Sequence, residues 1–284
     1  MAKIRVMTQN QWNNTNNNTY WEELGFDCSS KTRMKGHCRV FNEIMPDVVG
    51  GQEVNKEMQL DLMLLFEEAQ LPYTLIWGSM TPIIYRSDKF ELLDHEFYCY
   101  PEYVEKYEGV FNDEKSKNAN LAVFRVKENG EIFVFLNTHL WWMDGKNPED
   151  KWYREGSDEV RKLQLEASIQ MIEKYRAKYD NCPAFLVGDL NTDYNSQAVQ
   201  FAINEKGFSH AHDVATEFAH SGNGYNSCTP RRVGVWENAP FEAAIDHILV
   251  SENLKSNVLR FDRYTPDYYL YLSDHAPAFA DVIL

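Results

Sequence analysis

Two acids and an amide fall within five positions at Asp189, Leu190, Asn191, Thr192 and Asp193, directly behind the apolar run Phe185-Leu186-Val187-Gly188. A carboxylate beside an amide at the end of a buried strand is where an α/β protein keeps its chemistry. A turn uses the same residue types, so the stretch gains weight only in company. Asn10, Glu53, His139, Asp246, Asp274 and His275 supply it, each at the end of an apolar run or inside one. An acid in such a run needs a partner or a metal, because an unpaired buried charge is costly. Converged and bare, Glu53, Asp189, Asp246 and Asp274 would repel one another. A hard divalent cation resolves that repulsion, and oxygen donors point to magnesium or manganese rather than zinc. His139 and His275 could act on a proton or on a phosphate. Taken singly, each residue reads as a capped turn or a satisfied core polar group; eight in one local context do not.

The elements that must carry these residues alternate along the chain. Ile4 to Asn10 reads as a strand ending in polar residues, and Asp47 to Glu53 as a second one ending in an acid. A helix is expected over 31–45, stopped by Pro46, and another over 57–70 with the stripe Met58, Leu62, Leu65 and Ala69. Strands follow around 73–77, 82–86 and 90–99. The charged stretch 100–118 reads as a surface loop. Asn129-Gly130 lies between the apolar runs 121–126 and 132–136, a strong hairpin signal, and the second run leads into His139. A helix over 156–179 has one apolar face at Val160, Leu163, Ala167 and Met171. A second face, at Leu165, Ile169 and Ile172, lies roughly opposite. Phe185 to Asp189 is the strand behind the acid pair, with Gly188 letting the backbone turn at its end. A helix near 195–206, an irregular stretch 209–242, and strands at 244–250, 257–263 and 278–283 complete the order. No internal repeat or linker breaks it, so residues 1–284 read as one domain.

Composition bounds the rest. A chain of 284 residues can bury a large core. The formal net charge of −15 argues against a broad basic track for long duplex nucleic acid. No apolar run approaches the roughly 18 residues of a transmembrane helix. The start Met1-Ala2-Lys3-Ile4-Arg5-Val6 passes straight into a strand pattern, without the features of a secretory signal, so a cytoplasmic protein is expected. Cys28, Cys38, Cys99, Cys182 and Cys228 are scattered, with no pair at metal-site spacing, and read as incidental thiols. Two segments read as long loops rich in aromatics: 11–30, with Trp12, Tyr20 and Trp21, and 141–154, with Trp141, Trp142, Trp152 and Tyr153. Such rings could stack on a base or a sugar, or simply pack. Asn13-Asn14-Thr15 and Asn17-Asn18-Thr19 match glycosylation acceptors by coincidence.

Seven short segments recur in one order: Thr8-Gln9-Asn10, Gly51-Gln52-Glu53, Ile84-Tyr85-Arg86, Asn137-Thr138-His139-Leu140, Gly188-Asp189-Leu190-Asn191, Ile245-Asp246-His247-Ile248 and Ser273-Asp274-His275-Ala276-Pro277. As an ordered set this resembles the endonuclease/exonuclease/phosphatase superfamily of metal-dependent phosphoesterases. The resemblance implies a DNase I-like four-layer α/β sandwich, two packed mixed sheets flanked by helices. It implies Glu53 as the main magnesium ligand, with Asn10 and Asp274 close to the metal. By the same resemblance Asp189 orients or deprotonates the attacking water, helped by Asn191, and His139 donates to a phosphoryl oxygen. His275, paired with Asp246, serves as base or stabilises developing charge. Arg86 and Arg125 are possible phosphate contacts outside that set. The expected activity is magnesium-dependent hydrolysis of a phosphate ester, a phosphodiesterase ahead of a phosphomonoesterase or nuclease. The contrasting expectation is a phosphate- or sugar-binding module that has lost chemistry.

Overall fold

Several strands are apolar at nearly every position, which suits strands covered on both faces. In a computed structural model of the chain, that is how they are used. The structure describes residues 1–15, 22–23, 25–218 and 243–284. Tyr20, Trp21, Cys228, the Asn17-Asn18-Thr19 acceptor and most of the irregular stretch 209–242 lie outside the described residues.

In chain order the elements are β1 (Lys3–Asn10), α1 (Ser30–Ile44), β2 (Val48–Gln52), α2 (Lys56–Glu68), β3 (Tyr73–Ile76), β4 (Ile83–Arg86), β5 (Phe90–Cys99), β6 (Asn118–Val126), β7 (Ile132–His139), α3 (Ser157–Lys178), β8 (Ala184–Asp189), α4 (Gln197–Asn204), β9 (Phe208–His210), α5 (Ala211–Val214), β10 (Glu217–Phe218), β11 (Asp246–Ser251), β12 (Val258–Arg263) and β13 (Ala278–Ile283). They form a seven-stranded sheet in the order β10-β12-β13-β1-β2-β4-β3 and a six-stranded sheet in the order β5-β6-β7-β8-β11-β9. Both are mixed: β1 runs parallel to β2, and β7 parallel to β8, among antiparallel neighbours.

Alternation along each strand sorts side chains into layers. Val6, Val48, Ile83, Phe135, Phe185 and Val187 fill the space between the sheets. Their neighbours Met7, Val49 and Ile84 face the other way, onto Phe41 of α1 and Met58, Leu62 and Phe66 of α2. Leu136, Leu186 and Leu121 face Leu165, Ile169 and Ile172 of α3 and Val199 of α4. The result is four layers, helix–sheet–sheet–helix. Each fully buried Phe in these clusters contributes on the order of 2 kcal/mol of apolar burial.

Helices α2 and α4 start where a side chain accepts from a free N–H group. Asn55 Oδ1 accepts from Met58 N at 3.0 Å, and Ser196 Oγ from Val199 N at 3.3 Å. Ahead of Pro46, α1 stops at Met45, which takes a left-handed conformation with φ 44°. The long α3 carries Asp158 and Glu159 in its first turn and Arg176 and Lys178 in its last, matching its dipole. Among the described residues no helix is long and apolar enough to cross a membrane.

Four readings need correction. On α2 the buried stripe includes Phe66, while Ala69 is exposed. On α3 Leu163 is exposed, and the face turned to the sheet is the one through Leu165, Ile169 and Ile172. Gly188 does not turn the chain: it lies within β8, opposite His247. A Cβ there would sit 2.0 Å from the Thr138 carbonyl oxygen, so glycine permits the close approach of β7. The loop 100–118 is not wholly surface, since Phe111, Asn112 and Lys117 are buried.

Candidate active site

All eight singled-out residues arrive at one rim of the sandwich. Asn10 ends β1, Glu53 follows β2, and Asp274 and His275 precede β13 on the seven-stranded sheet. His139 ends β7, Asp189 ends β8, Asp246 begins β11 and Asn191 follows β8 on the six-stranded sheet. Register makes the second group coincide: His139 is opposite Asp189, and Asp189 is opposite Asp246.

Asp189 is the hub. Its Oδ2 accepts from Asn10 Nδ2 at 2.9 Å and lies 3.5 Å from His139 Nε2 and 3.9 Å from His275 Nε2. Its Oδ1 accepts from the Asn191 backbone N–H at 2.9 Å. Asn191 Nδ2 donates in turn to the Leu140 carbonyl at 3.0 Å, while Leu190 packs into the core. Asn191 holds φ 50°, a left-handed conformation that asparagine tolerates. Glu53 holds φ 57°, which costs a glutamate about 1 kcal/mol. Two donors at its carboxylate pin it there: Asn10 Nδ2 at 3.2 Å to Oε1 and Asn13 N at 3.1 Å to Oε2. His275 Nδ1 and Asp246 Oδ2 are 2.9 Å apart, and Ser273 Oγ braces the same turn by donating to the Asn10 carbonyl at 2.8 Å.

Under the rim the sheets are joined by amides. Gln52 Nε2 donates to Asn137 Oδ1 at 2.6 Å, and Asn137 Nδ2 donates to the carbonyls of Gly51 at 2.8 Å and Pro82 at 3.1 Å. Gly50 leaves the room, since a Cβ on it would meet Asn137 Oδ1 at 2.5 Å.

The electrostatics record crowded negative charge. Burial, and then the charge of Asp246, push the Asp189 carboxyl up to about 6. Desolvation pushes Asp274 up to about 6 as well; His275 opposes the rise and Glu53 adds to it. Burial, with Lys117 alongside, holds His139 well below the ordinary histidine value. These acids form the oxygen-rich donor set that a hard divalent cation takes, and such a cation would relieve their repulsion; Asn10 turns its Nδ2 toward them, while its Oδ1 accepts from the Trp12 N–H at 3.0 Å, so its amide would have to turn over to add an oxygen. The residues therefore fit a divalent ion. Among the described residues, Asp189, Asp246 and His275 also offer ligand atoms that all lie within 4.8 Å of one another. This group adds one nitrogen donor to the oxygens.

Lys117 was not foreseen. It is buried beside His139, with Nζ 2.9 Å from Nε2, and lines the same pocket of about 440 Å³ with Glu53, Asp189, Asn191 and His275. Burial lowers its pKa. The Asn129-Gly130 turn could have revealed it. That turn sets His139 opposite Asn118, one residue from Lys117. Arg86 and Arg125 stay outside the site. Arg86 pairs with Asp88 and Asp47, and Arg125 with Glu91.

Residues 27–275 match the Endonuclease/Exonuclease/phosphatase family. The chain belongs to that family. Solved structures of the family fold cover it end to end. An endonuclease/exonuclease/phosphatase from Bacteroides vulgatus is 24% identical, with TM-score 0.74 over 100% of both chains. A mannosyl-6-phosphatase from Bacteroides thetaiotaomicron VPI-5482 is 21% identical, with TM-score 0.69 over 99% of this chain and 100% of that one. D. rerio TDP2 complexed with single strand DNA product is 15% identical, with TM-score 0.67 over 100% of both. At these identities the likeness is one of fold. Among curated proteins, the probable CCR4-Not complex 3'-5'-exoribonuclease subunit Ccr4 of Enterocytozoon bieneusi is 28% identical over 93 residues, 33% of this chain and 17% of that protein. Family membership and the four-layer fold agree with the resemblance carried by the seven ordered segments, and family members hydrolyse phosphate esters.

Proposed function

We propose that this family member is a magnesium-dependent hydrolase of phosphate esters, with phosphodiesters as its first substrate class, manganese as a possible substitute ion, and residues 1–284 acting as one catalytic domain. The observation that carries the reading is the hub at Asp189, with Asn10 at 2.9 Å, His139 at 3.5 Å and His275 at 3.9 Å around one carboxylate oxygen.

Glu53, Asn10 and Asp274 would hold the ion. When bound, it would neutralise phosphoryl oxygens and acidify water. Asp189 orients the attacking water and takes its proton, a role suited to a carboxyl raised toward neutral pH. Asn191 fixes the other oxygen of Asp189 through its backbone N–H. His139 and Lys117 face the side where phosphoryl charge builds up, and Lys117 supplies the cationic donor. The Asp246 carboxylate fixes the tautomer of His275 and stabilises the imidazolium left when Nε2 takes up a proton. Phosphoryl transfer asks mainly for positioning and charge neutralisation, which is what such a set provides. The free thiols of Cys28, Cys38, Cys99 and Cys182 support a cytoplasmic setting.

The test is hydrolysis of bis-p-nitrophenyl phosphate with and without Mg²⁺. Turnover should require the metal and fall by about 10³-fold or more in Asp189→Ala and His275→Ala. Magnesium binding without turnover of any phosphoester would instead mark a binding module.

A further inference from the structure

Beside the reactive pocket lies a second recess of about 470 Å³, and Trp142 and Asn191 line both. A recess of that size falls within the usual range of small-molecule sites, about 300–1,000 Å³. Its wall is aromatic and held in place. Trp141 is buried, and its N–H groups donate to Gln164 Oε1 at 2.8 Å and Ser157 Oγ at 3.2 Å. Arg161, on α3, ties the same loop by donating to the Trp141 carbonyl at 3.0 Å and the Met143 carbonyl at 2.7 Å. With the loop anchored there, Trp142 and Trp152 stay exposed, edge to face at 5.2 Å. Trp142 is pinned further by Nε1 donating to Asp113 Oδ2 at 3.1 Å.

Among the described residues, acids outnumber cations around this wall. Asp144, Asp150 and Asp193 line the recess, and Asp113 and Glu114 line the reactive pocket beside it. Asp144 is set by the backbone N–H groups of Lys146 at 2.9 Å and Asn147 at 3.1 Å, and Asp150 by that of Trp152 at 2.7 Å. A carboxylate has about four acceptor positions, so each retains acceptors for further donors. Among the described residues, both cations that line the recess are engaged: Lys146 with Asp193 at 2.9 Å, and Arg161 with Asp158 and the two carbonyls. A second phosphate close to the reacting one would meet carboxylates within a Debye length. A ring bearing several hydroxyls and no charge meets the reverse: acceptors for its O–H groups and an indole face for its C–H face.

We propose that this recess is the subsite for the non-phosphate part of the substrate, and that this part is an uncharged polyhydroxylated ring, so that the substrate is a sugar phosphomonoester, the alternative to the phosphodiester put first above, rather than a polynucleotide. The proposal rests on the hydrolase reading given above. The Trp142 shelf seats the ring, Asp144 and Asp150 take its hydroxyls, and Asn191 lies at the passage between ring and phosphoryl group.

The experiment compares kcat/KM of the full chain with Mg²⁺ on a hexose 6-phosphate, p-nitrophenyl phosphate and a 5′-phosphorylated trinucleotide. The hexose phosphate should exceed the trinucleotide by about tenfold or more. Trp142→Ala and Asp150→Asn should each lower the hexose phosphate value about tenfold, chiefly through KM, while p-nitrophenyl phosphate falls less than about threefold. Asparagine keeps the single oxygen that accepts from the Trp152 N–H at position 150, so that variant guards against misfolding. Preference for the trinucleotide, turnover of bis-p-nitrophenyl phosphate without turnover of the hexose phosphate, or equal losses on hexose and aryl phosphates, overturns the subsite. Turnover of none of the three, nor of bis-p-nitrophenyl phosphate, overturns the hydrolase reading and this one with it.

Discussion

The strand ends of the seven-stranded sheet bring Asn10, Glu53, Asp274 and His275 to the rim; those of the six-stranded sheet bring Lys117, His139, Asp189 and Asp246. The first set is rich in oxygen donors. The second holds the lysine, and each holds one carboxyl driven up to about 6, Asp274 in the first and Asp189 in the second. Neither is a complete site. Hydrogen bonds from Asn10 to Asp189 and between His275 and Asp246, each at 2.9 Å, join them, and His275 Nε2 lies 3.9 Å from Asp189 Oδ2. On the function proposed above, ion binding falls mainly to the first set and the phosphoryl charge to the second, while proton handling is shared between Asp189 and His275 across the two.

The hardest blow to that division is Glu53→Gln. It should lower phosphoester turnover by about 10²-fold or more and abolish the rise in Tm that Mg²⁺ gives the parent protein. A Mg²⁺-induced rise that survives would move the ion to Asp189, Asp246 and His275 and dissolve the contrast. Lys117→Met strikes the other half. Turnover should fall about 10²-fold, as when one transition-state donor is lost, while the Mg²⁺-induced rise in Tm remains. Loss of both together would mean that Lys117 holds the rim in shape rather than meeting substrate.

The smallest effect sharpens the comparison through pH. In the metal-free fold the Asp189 carboxyl is raised to about 6, above its value of about 3.9 in an unfolded chain. The fold therefore favours its protonated form. That contribution to stability is fully present below about pH 4 and is lost as pH rises through about 6. Metal-free parent protein should gain a few degrees of Tm over Asp189→Asn between about pH 7 and about pH 5. A difference that stays flat over this interval would show that the Asp189 charge is already compensated.

Much of the rim was legible because its residues interrupt apolar runs. Asp246 beside Ile245 and Ile248, or Asp189 behind Val187, is an exception that periodicity exposes. The sheets themselves were legible only as strands. Their division into two layers depends on which face of Val6 and Met7 meets which neighbour, and that is decided by long-range packing. Lys117 was hidden for a different reason. The exposed Asp113, Glu114 and Lys115 precede it, and burial of one residue at the end of a charged run leaves no local signature. Gly188 was read through its own flexibility, whereas the constraint comes from the adjoining strand. The two faces of α3 looked equivalent in sequence until Leu163 proved to point away from the sheet.

The amide bridge from Gln52 through Asn137 to the Gly51 and Pro82 carbonyls has an effect beyond cohesion. With no slack beneath the rim, the gap between the jaws behaves like the throat of a fixed-gauge calliper. A change in what the protein accepts would then have to come from reshaping the entrance, where side chains can be exchanged without prising the two layers apart.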